Sequence, residues 1–192
     1  MLKVLIVDHI EKRSNSLSQS LIDNGFEVIA HVANDVCLEQ KCNELQPDVV
    51  IIDTESPNID TLEYICVMTM HSPRPIVMLT HNGNKELIKA ATQAGVSAYV
   101  VGSISSERLT PVIDAAIARF EEFNSLRSEL SETKNKLDER KIVEQAKGLL
   151  MKQRQLDEND AYSLLRSMAM KKNMKLADLS SQLIDAAKML II

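Results

Sequence analysis

The sequence predicts a doubly wound α/β domain with a five-stranded parallel sheet, followed by a coiled-coil linker helix and a small all-α domain of three helices. Two observations indicate the α/β part. Short apolar runs rich in β-branched residues recur along the front of the chain, and the stretches between them are each long enough for one helix. A third observation, helical spacing of apolar residues near the C-terminus, indicates the all-α part.

Five apolar runs mark the predicted strands. They are Val4 to Val7, Val28 to Ala30, Val49 to Ile52, Ile76 to Leu79 and Ala98 to Val101. Continuous runs of this kind suit strands that are buried on both faces, and their alternation with helices is typical of a parallel sheet. Gly25 and Gly95 fall where a helix has to end before the next strand. We therefore assign residues 1–120 to this domain.

Residues 121–140 contain no Pro or Gly and are heavily charged. Within them, side chains recur three and four residues apart, which is the spacing of a coiled-coil seam. The seam consists of Phe123, Leu126, Leu130, Thr133 and Leu137. We expect a helical linker that forms a homodimer, and the alternative is a helix that packs on its own chain.

The linker helix is predicted to continue without a break to about Met151 and to form the first helix of a domain spanning 141–192. Asp157, with Asp160 three residues later, provides a start for the second helix through capping and a favourable dipole charge. We expect the three helices to share one core. The inner face of the last helix is predicted to hold Leu176, Leu179, Leu183, Ala186 or Ala187, and Leu190.

The second helix of this domain has two distinct sides. Ala161, Leu164, Leu165 and Met168 form an apolar stripe at helical spacing. A second side carries Tyr162, Arg166, Ala169 and Asn173, spaced four, three and four residues apart. An exposed aromatic ring and a guanidinium are therefore predicted on the side away from the core.

Charge is unevenly distributed along the chain, whose formal net charge is −5. From residue 141 onward there are nine Lys or Arg and six Asp or Glu, a net charge of +3, which leaves −8 for the rest. An acidic front and a basic tail fit a regulatory domain joined to an anion-binding domain, although a chance fluctuation of a few charges is the alternative.

Composition also bears on location and metal binding. No apolar run approaches the roughly 20 residues that span a bilayer, and Asp8 soon interrupts the apolar start, so we expect a cytoplasmic protein with no membrane contact. Reduced thiols and no structural metal are expected because the cysteines and histidines lack metal-ligand spacing. These residues are Cys37, Cys42, Cys66, His9, His31, His71 and His81.

The C-terminal sequence is specific enough to suggest a family. The string Gln145-Ala146-Lys147-Gly148-Leu149-Leu150-Met151, followed by Ala161-Tyr162 and by Leu164 to Asn173, closely resembles the RNA-binding ANTAR domain of the AmiR and NasT antitermination regulators. The resemblance implies that residues 141–192 bind a hairpin in a leader transcript.

RNA loops are recognised by stacking on aromatic or guanidinium planes and by contacts to phosphates. Tyr162 and Arg166 are the candidates for stacking. The candidates for the other RNA contacts are Lys147, Lys171, Lys172, Asn173 and Lys175. The structural alternatives are a partly buried core tyrosine, lysines that only solvate helix ends, and a Gly148 that is explained by close helix packing.

Polar residues follow the predicted strands where ligands gather in a doubly wound sheet. Asp8 follows the first strand, Asp53 the third and Thr80 the fourth. Here residues 1–120 resemble the receiver domain of bacterial two-component response regulators. By that resemblance Asp53 holds the phospho-acceptor position, Asp8 is the first residue of the acidic pair, and Thr80 is the hydroxyl residue of the switch.

Two departures from the receiver pattern affect phosphorylation. His9 stands where the family has a second acid, and Gly102-Ser103 stands where it usually has a lysine. Phosphoryl transfer to a carboxylate requires magnesium and a fixed cation, and both supports are weakened. We expect Asp53 to be a structural relic of a phosphorylation site, with a working acceptor as the alternative. We expect no cofactor, with a Mg²⁺ ion whose binding is weakened by His9 as the alternative.

Three segments are most similar to the NasT branch of the family. They are Asp53-Thr54-Glu55-Ser56-Pro57, Arg74 to Met78, and Ala94 to Tyr99. This resemblance implies control of nitrate and nitrite assimilation genes, recognition of paired leader-mRNA stem-loops, and inhibition by a NasS-like nitrate-sensing protein.

Two other classes of function remain open. A phosphorylation-activated DNA-binding response regulator would need a recognition helix, and no helix-turn-helix pattern with a glycine turn is visible. A protein-interaction adaptor would use the C-terminal helices to bind another helix. Because nothing beyond the degraded phospho-acceptor site resembles a catalytic arrangement, we do not expect an enzyme.

Overall fold

The computed structural model describes residues 1–8, 11–32 and 38–189. The chain divides into two compact units, which we call the front unit, residues 1–124, and the C-terminal unit, residues 125–192. This division by compactness does not separate a linker, so the three-part boundaries predicted from the sequence remain a proposal.

A five-stranded parallel sheet forms the centre of the front unit, with strand order β2-β1-β3-β4-β5. The five predicted strands are confirmed, each within about two residues of the predicted bounds. They are β1 Lys3–Asp8, β2 Glu27–Val32, β3 Val49–Thr54, β4 Ile76–Thr80 and β5 Ala98–Val101.

Helices cover both faces of this sheet, which is the doubly wound arrangement that the sequence predicts. They are α1 Glu11–Asp23, α2 Leu38–Leu45, α3 Ile59–His71, α4 Lys85–Ala94 and the start of α5 Ser106–Arg154. Strand side chains alternate between two cores because successive residues point to opposite faces. Val4 and Ile6 pack with α1 and α5, whereas Leu5 and Val7 pack with α2, α3 and α4.

Local sequence signals set the ends of these helices. Gly95 caps α4 in the left-handed region, with φ +111°, and its N–H donates to the carbonyls of Ala91 and Thr92. A Cβ at Gly95 would also lie 2.6 Å from Thr69 Oγ1, so both the backbone and the packing require glycine here. Asn58 and Asn84 cap the N-termini of α3 and α4 by accepting a backbone N–H.

The predicted helix that runs on to about Met151 is confirmed and is longer than expected. Helix α5 spans 49 residues, Ser106–Arg154. Its first turns already belong to the front unit, where Leu109, Ile113 and Ala116 are buried against the sheet. Pro111 lies inside it and cannot donate a helical hydrogen bond. The sequence pattern did not show that one helix covers all of these segments.

The C-terminal unit packs the last part of α5 with α6 Glu158–Lys172 and α7 Leu176–Met189. The predicted cap is confirmed, because Asp157 accepts the N–H of Asp160 at 2.8 Å. Buried side chains from all three helices form one core, namely Ala146, Leu150, Ala161, Leu165 and Ile184.

On α7, Leu179 and Ala187 are buried, Leu176 and Leu183 are half-buried, and Ala186 is exposed. The predicted Leu190 lies outside the described residues. None of the helices in the described parts of the chain is long and apolar enough to cross a membrane.

Candidate functional site

The structure brings the three polar residues of the front unit to one edge of the sheet. Asp8 at the end of β1 is the parallel partner of Asp53 in β3, and Thr54 is the partner of Thr80 in β4. The polar residues meet because the carboxyl ends of parallel strands lie side by side at this edge.

The Thr80 side chain is buried and engaged by backbone groups. Its hydroxyl donates to the carbonyl oxygen of Glu55 at 2.9 Å and accepts the N–H of Asn82 at 3.2 Å. Asn82 in turn donates from its side chain to Ser56 Oγ at 3.0 Å. The loops after β3 and β4 are thereby tied to each other.

Tyr99 in β5 supports the same loop. Its hydroxyl donates to the carbonyl oxygen of Asn82 at 2.8 Å, and partial burial raises the pKa of Tyr99. The sequence reasoning did not identify Tyr99 or Asn82. The only local signal was an aromatic residue in a short β-strand, which more often means a core residue.

A polar cleft of about 180 Å³ opens beside Asp53. Its described lining includes Ser16 and Ser20 from α1, together with Gly102 and Ser103 after β5. Gly102 adopts a φ of +89°, and a Cβ there would meet no atom within 4 Å. Glycine at position 102 therefore leaves space in the cleft. Residues 102 and 103 place no lysine ammonium beside the Asp53 carboxylate.

Asp8 and Asp53 are two carboxylate residues that the strand register places side by side at this edge of the sheet. Nowhere in the described ranges do three His, Cys, Asp or Glu side chains gather closely enough to hold a metal ion. His9, the residue at the position of the second acid, lies outside those ranges. Magnesium at Asp8 and Asp53 is therefore not used in any step proposed below.

The cysteines of the front unit have ordinary surroundings. Cys42 is buried and its thiol lies 3.5 Å from Met68 Sδ, and burial raises its pKa to about 11. Cys42 and Cys66 are both free thiols, while Cys37 lies outside the described residues. The high pKa keeps Cys42 protonated and unreactive at neutral pH.

In the C-terminal unit, the two sides predicted for α6 are largely reproduced. Ala161 and Leu165 are buried, Leu164 and Met168 are half-buried, and Tyr162 and Arg166 are exposed. Tyr162 exposes 44% of its surface, so it is not a core tyrosine. We call the side that carries Tyr162 and Arg166 the outer face of α6.

Ala169 was assigned to the outer face, and this was wrong. It is 5% exposed and lies in the same row as Ala161 and Leu165, four residues apart along the helix. A small side chain at the boundary between two faces is consistent with either side in the sequence, and packing against the rest of the unit decides which one is buried.

The end of α6 exposes several basic groups. Lys171 and Lys172 lie in its last turn, and Lys175 follows in the connection to α7; all three side chains are exposed. Asn173 caps the helix with φ +52°, and its N–H donates to the carbonyls of Ala169 and Met170. Asparagine tolerates this left-handed conformation better than most residues, so Asn173 also has a local structural role.

Lys147 differs from the other lysines proposed to contact phosphate. Its side chain is only 10% exposed, and its Nζ lies 2.6 Å from Glu144 Oε2 and 2.7 Å from Glu158 Oε1. Hydrogen bonds to these carboxylates, Glu144 first, raise the pKa of the Lys147 ammonium. Because Glu158 begins α6, the ammonium links α5 to α6, and this geometry favours a structural role.

The linker residues expose their apolar side chains. Phe123, Leu126, Leu130 and Leu137 are each between 54% and 62% exposed, and Thr133 is exposed as well. They lie along one side of α5. The single chain therefore leaves the whole predicted seam in contact with solvent.

One surface was not predicted from the sequence, and one predicted explanation is not supported. Helix α3 exposes four large apolar side chains, Ile59, Tyr64, Val67 and Met70. Gly148 lies inside α5, where glycine costs about 0.5–1 kcal/mol relative to alanine, yet a Cβ there would meet no atom within 4 Å. Close helix packing, the structural alternative for Gly148, is therefore not supported within the described residues.

Comparison with known protein families identifies both units. Residues 4–114 match the response regulator receiver domain, and residues 131–190 match the ANTAR domain. The transcriptional regulatory protein PdtaR of Mycobacterium tuberculosis is 30% identical over 168 residues, which cover 88% of this chain and 82% of PdtaR. The chemotaxis protein CheY of Bacillus subtilis is 26% identical over 116 residues, covering 60% of this chain and 97% of CheY.

Solved structures match the front part of the chain. The beryllofluoride-activated NtrC4 receiver domain dimer superposes with a TM-score of 0.53 at 25% identity, over 62% of this chain and 99% of that one. The chemotaxis response regulator CheY4 of Vibrio cholerae gives a TM-score of 0.53 at 28% identity, over 60% of this chain and 98% of CheY4. The chain therefore belongs to the response regulator receiver family and is one of its members that carry an ANTAR domain.

Proposed function

We propose that this protein is a transcription antitermination regulator that binds paired stem-loops in leader mRNA through its ANTAR domain. The observation that carries the proposal is the outer face of α6, where an exposed tyrosine and an exposed arginine lie one turn apart and the basic end of the helix follows. An aromatic ring and a guanidinium provide planes on which unpaired bases stack, and the lysines provide phosphate contacts.

Lys147 is left out of this RNA-binding set because two glutamates already neutralise its ammonium. The proposed RNA contacts are Tyr162, Arg166, Lys171, Lys172, Asn173 and Lys175. The proposal is RNA binding and not DNA binding, since the C-terminal unit matches the ANTAR domain.

We further propose that the protein acts as a homodimer through the seam on α5. In a parallel, in-register pair of helices, the residues that flank the seam would place Glu122 beside Arg127 of the second copy and Glu129 beside its Lys134. An antiparallel pair would instead bring the basic flanking residues together, namely Arg127, Lys134 and Lys141. Although Lys136 and Lys141 repel in the parallel pair, the flanking charges favour the parallel arrangement.

The regulatory signal is proposed to reach the front unit through a protein and not through phosphorylation. Asp53 keeps its position at the sheet edge, but residues 102 and 103 provide no ammonium to neutralise a phosphoryl group. The exposed apolar side of α3, which includes an aromatic ring and a methionine, has a composition that protein partners bind. We propose that a NasS-like nitrate-sensing protein binds this surface and that the genes controlled serve nitrate and nitrite assimilation.

The outer face of α6 is tested by RNA binding of alanine variants in the full-length protein. Arg166→Ala and Tyr162→Ala should each weaken binding to leader transcripts of the organism's nitrate operons by about 1 to 3 kcal/mol, whereas Tyr162→Phe should retain most of the affinity because it keeps the stacking ring. Lys171→Ala should make the salt dependence shallower by roughly 0.7 to 0.9 units of slope.

Lys188→Ala is the matched control for that experiment, since it removes a positive charge from α7 that is already paired with Asp185. It should leave the affinity nearly unchanged. Circular dichroism has to show that each variant retains its helices. A folded Arg166→Ala protein that binds as tightly as the wild type would exclude the proposed face.

The dimer is tested by placing charges in the seam. Leu130→Asp together with Leu137→Asp should shift the protein to monomer in analytical ultracentrifugation, because four buried carboxylates would oppose association. Ser128→Asp with Asn135→Asp adds the same charge on the opposite side of the helix and should leave the dimer intact. If both double variants show the wild-type mass, the seam is not the interface.

Helix orientation has its own test. In a parallel, in-register dimer, residue 137 faces its own copy, so Leu137→Cys should form a covalent dimer under mild oxidation. In an antiparallel pair, the seam positions of one type face those of the other type, so residue 137 would not face its own copy. Failure of Leu137→Cys to cross-link in a sample that is otherwise dimeric would reject the parallel arrangement.

The role of Asp53 is tested in cells with a transcription read-through reporter. Asp53→Asn should leave the response to nitrate intact because the switch does not use phosphorylation at this carboxylate. Asp23→Asn, an exposed acid on α1, controls for the loss of one negative charge. Constitutive read-through or complete loss of response with Asp53→Asn, at normal protein levels, would instead support a working phospho-acceptor.

The protein partner is tested by copurification with the nitrate-sensing protein, with and without nitrate. Tyr64→Glu combined with Met70→Glu should abolish recovery of the complex, because charges would then lie in an apolar interface. Ile22→Glu, at an equally exposed apolar residue on α1, should have no effect.

Nitrate should lower recovery of the wild-type complex, since a ligand shifts the equilibrium by the difference between its affinities for free and bound sensor. Equal recovery with and without nitrate would eliminate nitrate as the signal. Equal recovery of wild type and the Tyr64/Met70 variant would eliminate the α3 surface.

A further inference from the structure

Gly148 lies inside α5, where glycine is an unfavourable residue for helix stability. Alanine would favour the helical conformation more strongly, because glycine loses more backbone entropy on folding. The helix has to persist here, since the adjacent Ala146 is fully buried in the core and Lys147 makes the ion pairs with Glu144 and Glu158. The glycine therefore weakens α5 at a point where the C-terminal unit depends on it.

Neither backbone conformation nor packing explains this glycine. Gly148 is not among the glycines with positive φ in the described part of the chain, which are Gly25, Gly95 and Gly102. A Cβ at Gly148 would meet no heavy atom within 4 Å outside its own helical turn. Gly95 shows the contrast, because there a Cβ would collide with the Thr69 side chain.

On one flank of Gly148, the neighbouring helix surface is polar; on the other flank lie the acidic Glu144 and the half-buried Met151. Gln145 and Lys152 lie three residues before and four residues after it, so all three share one side of α5. Both side chains are exposed. This side of the helix thus has a central gap without a side chain, between an amide and an ammonium.

We propose that Gly148, Gln145 and Lys152 form a contact site for the sugar-phosphate backbone of bound RNA, in addition to the outer face of α6. Without a Cβ at Gly148, a nucleic-acid strand approaches the helix backbone closely, and the Gln145 amide and the Lys152 ammonium donate to its phosphate oxygens. This inference rests on the proposed RNA-binding function and assigns a second surface of the same domain to it.

RNA fits this surface better than a second protein helix. The last turn of α5 carries the basic residues Lys152 and Arg154, and residues 125–192 carry 13 Lys or Arg against 10 Asp or Glu. A second protein helix would need exposed apolar side chains beside Gly148, but Gln145 and Lys152 are polar, and Met151 already packs against the core of the C-terminal unit. Dimer contact is nevertheless measured as an outcome below.

The test uses the full-length protein with substitutions of increasing size. Gly148→Ala should raise the midpoint of thermal unfolding by about 2 to 4 °C, because alanine favours the helix and meets no neighbour. The same substitution should weaken binding to the leader transcript several-fold, and Gly148→Gln should weaken it at least tenfold. Ala186→Gln, which adds the same bulk at an exposed position on α7, should leave binding unchanged.

The proposed contact predicts that Gly148→Ala makes the protein more stable and at the same time weakens its binding to RNA. A loss of both together would mean that Gly148 has a packing role, and unchanged affinity for both Gly148 variants would reject the RNA contact. A changed mass in ultracentrifugation that accompanies lost binding would assign Gly148 to the dimer instead.

RNA binding by the wild-type protein, Arg166→Ala and Gly148→Gln distinguishes failure of the Gly148 site from failure of the proposed RNA-binding function. Wild-type protein that binds no leader transcript rejects both. Binding that is lost with Arg166→Ala and retained with Gly148→Gln rejects the Gly148 site alone. Lys152→Ala should also weaken binding and make its salt dependence shallower by roughly 0.7 to 0.9 units of slope.

Discussion

The helical conformation of α5 is the constraint on which the other features depend. Because each residue of a helix is rotated by a fixed angle from the previous one, the side chains of Ser106–Arg154 have their directions set by position alone. The early residues cover the sheet, the middle residues expose an apolar seam, and the late residues contribute to the core of the C-terminal unit. A one-residue insertion within the seam would move its later residues about 100° around the helix and break the seam.

In the front unit, the strand register determines which polar residues meet at the edge of the sheet. The parallel register still brings Asp8, Asp53 and Thr80 to the same edge of the sheet, as the receiver family requires. Thr80 is held by the Glu55 carbonyl, and Tyr99 holds the neighbouring Asn82. With no ammonium from residues 102 and 103, this edge has less to stabilise a phosphoryl group, and contact with a protein is the regulatory route that we propose instead.

In the C-terminal unit, basic residues that look alike in the sequence have different environments. Lys147 is enclosed by two carboxylates and joins α5 to α6, while Lys171, Lys172 and Lys175 remain exposed. An ammonium that is already neutralised gains little from a phosphate, because the new contact would have to replace two existing ones. The RNA-binding surface that we propose therefore uses the exposed basic groups, and the buried one stabilises the domain.

The sequence by itself determined the local structure. β-Branched runs gave the five strands, Gly95 the end of α4, and Asp157 the start of α6, because each of these depends on residues that are near one another in the chain. It also identified the seam, and it gave the apolar stripe of α6 except for Ala169. Strand-end position singled out Asp53, and helical spacing placed Tyr162 and Arg166 on one side of α6, whereas the family resemblance supplied the roles expected of them.

Tertiary structure decided what depends on neighbours that are distant in sequence. It buried Ala169 with the stripe, enclosed Lys147 between Glu144 and Glu158, and exposed the apolar side of α3. It also placed the Thr69 side chain where a Cβ at Gly95 would collide with it, whereas a Cβ at Gly148 would meet no such neighbour. The physical reason is that helical spacing fixes which side a residue faces, whereas the atoms that meet it there belong to other elements.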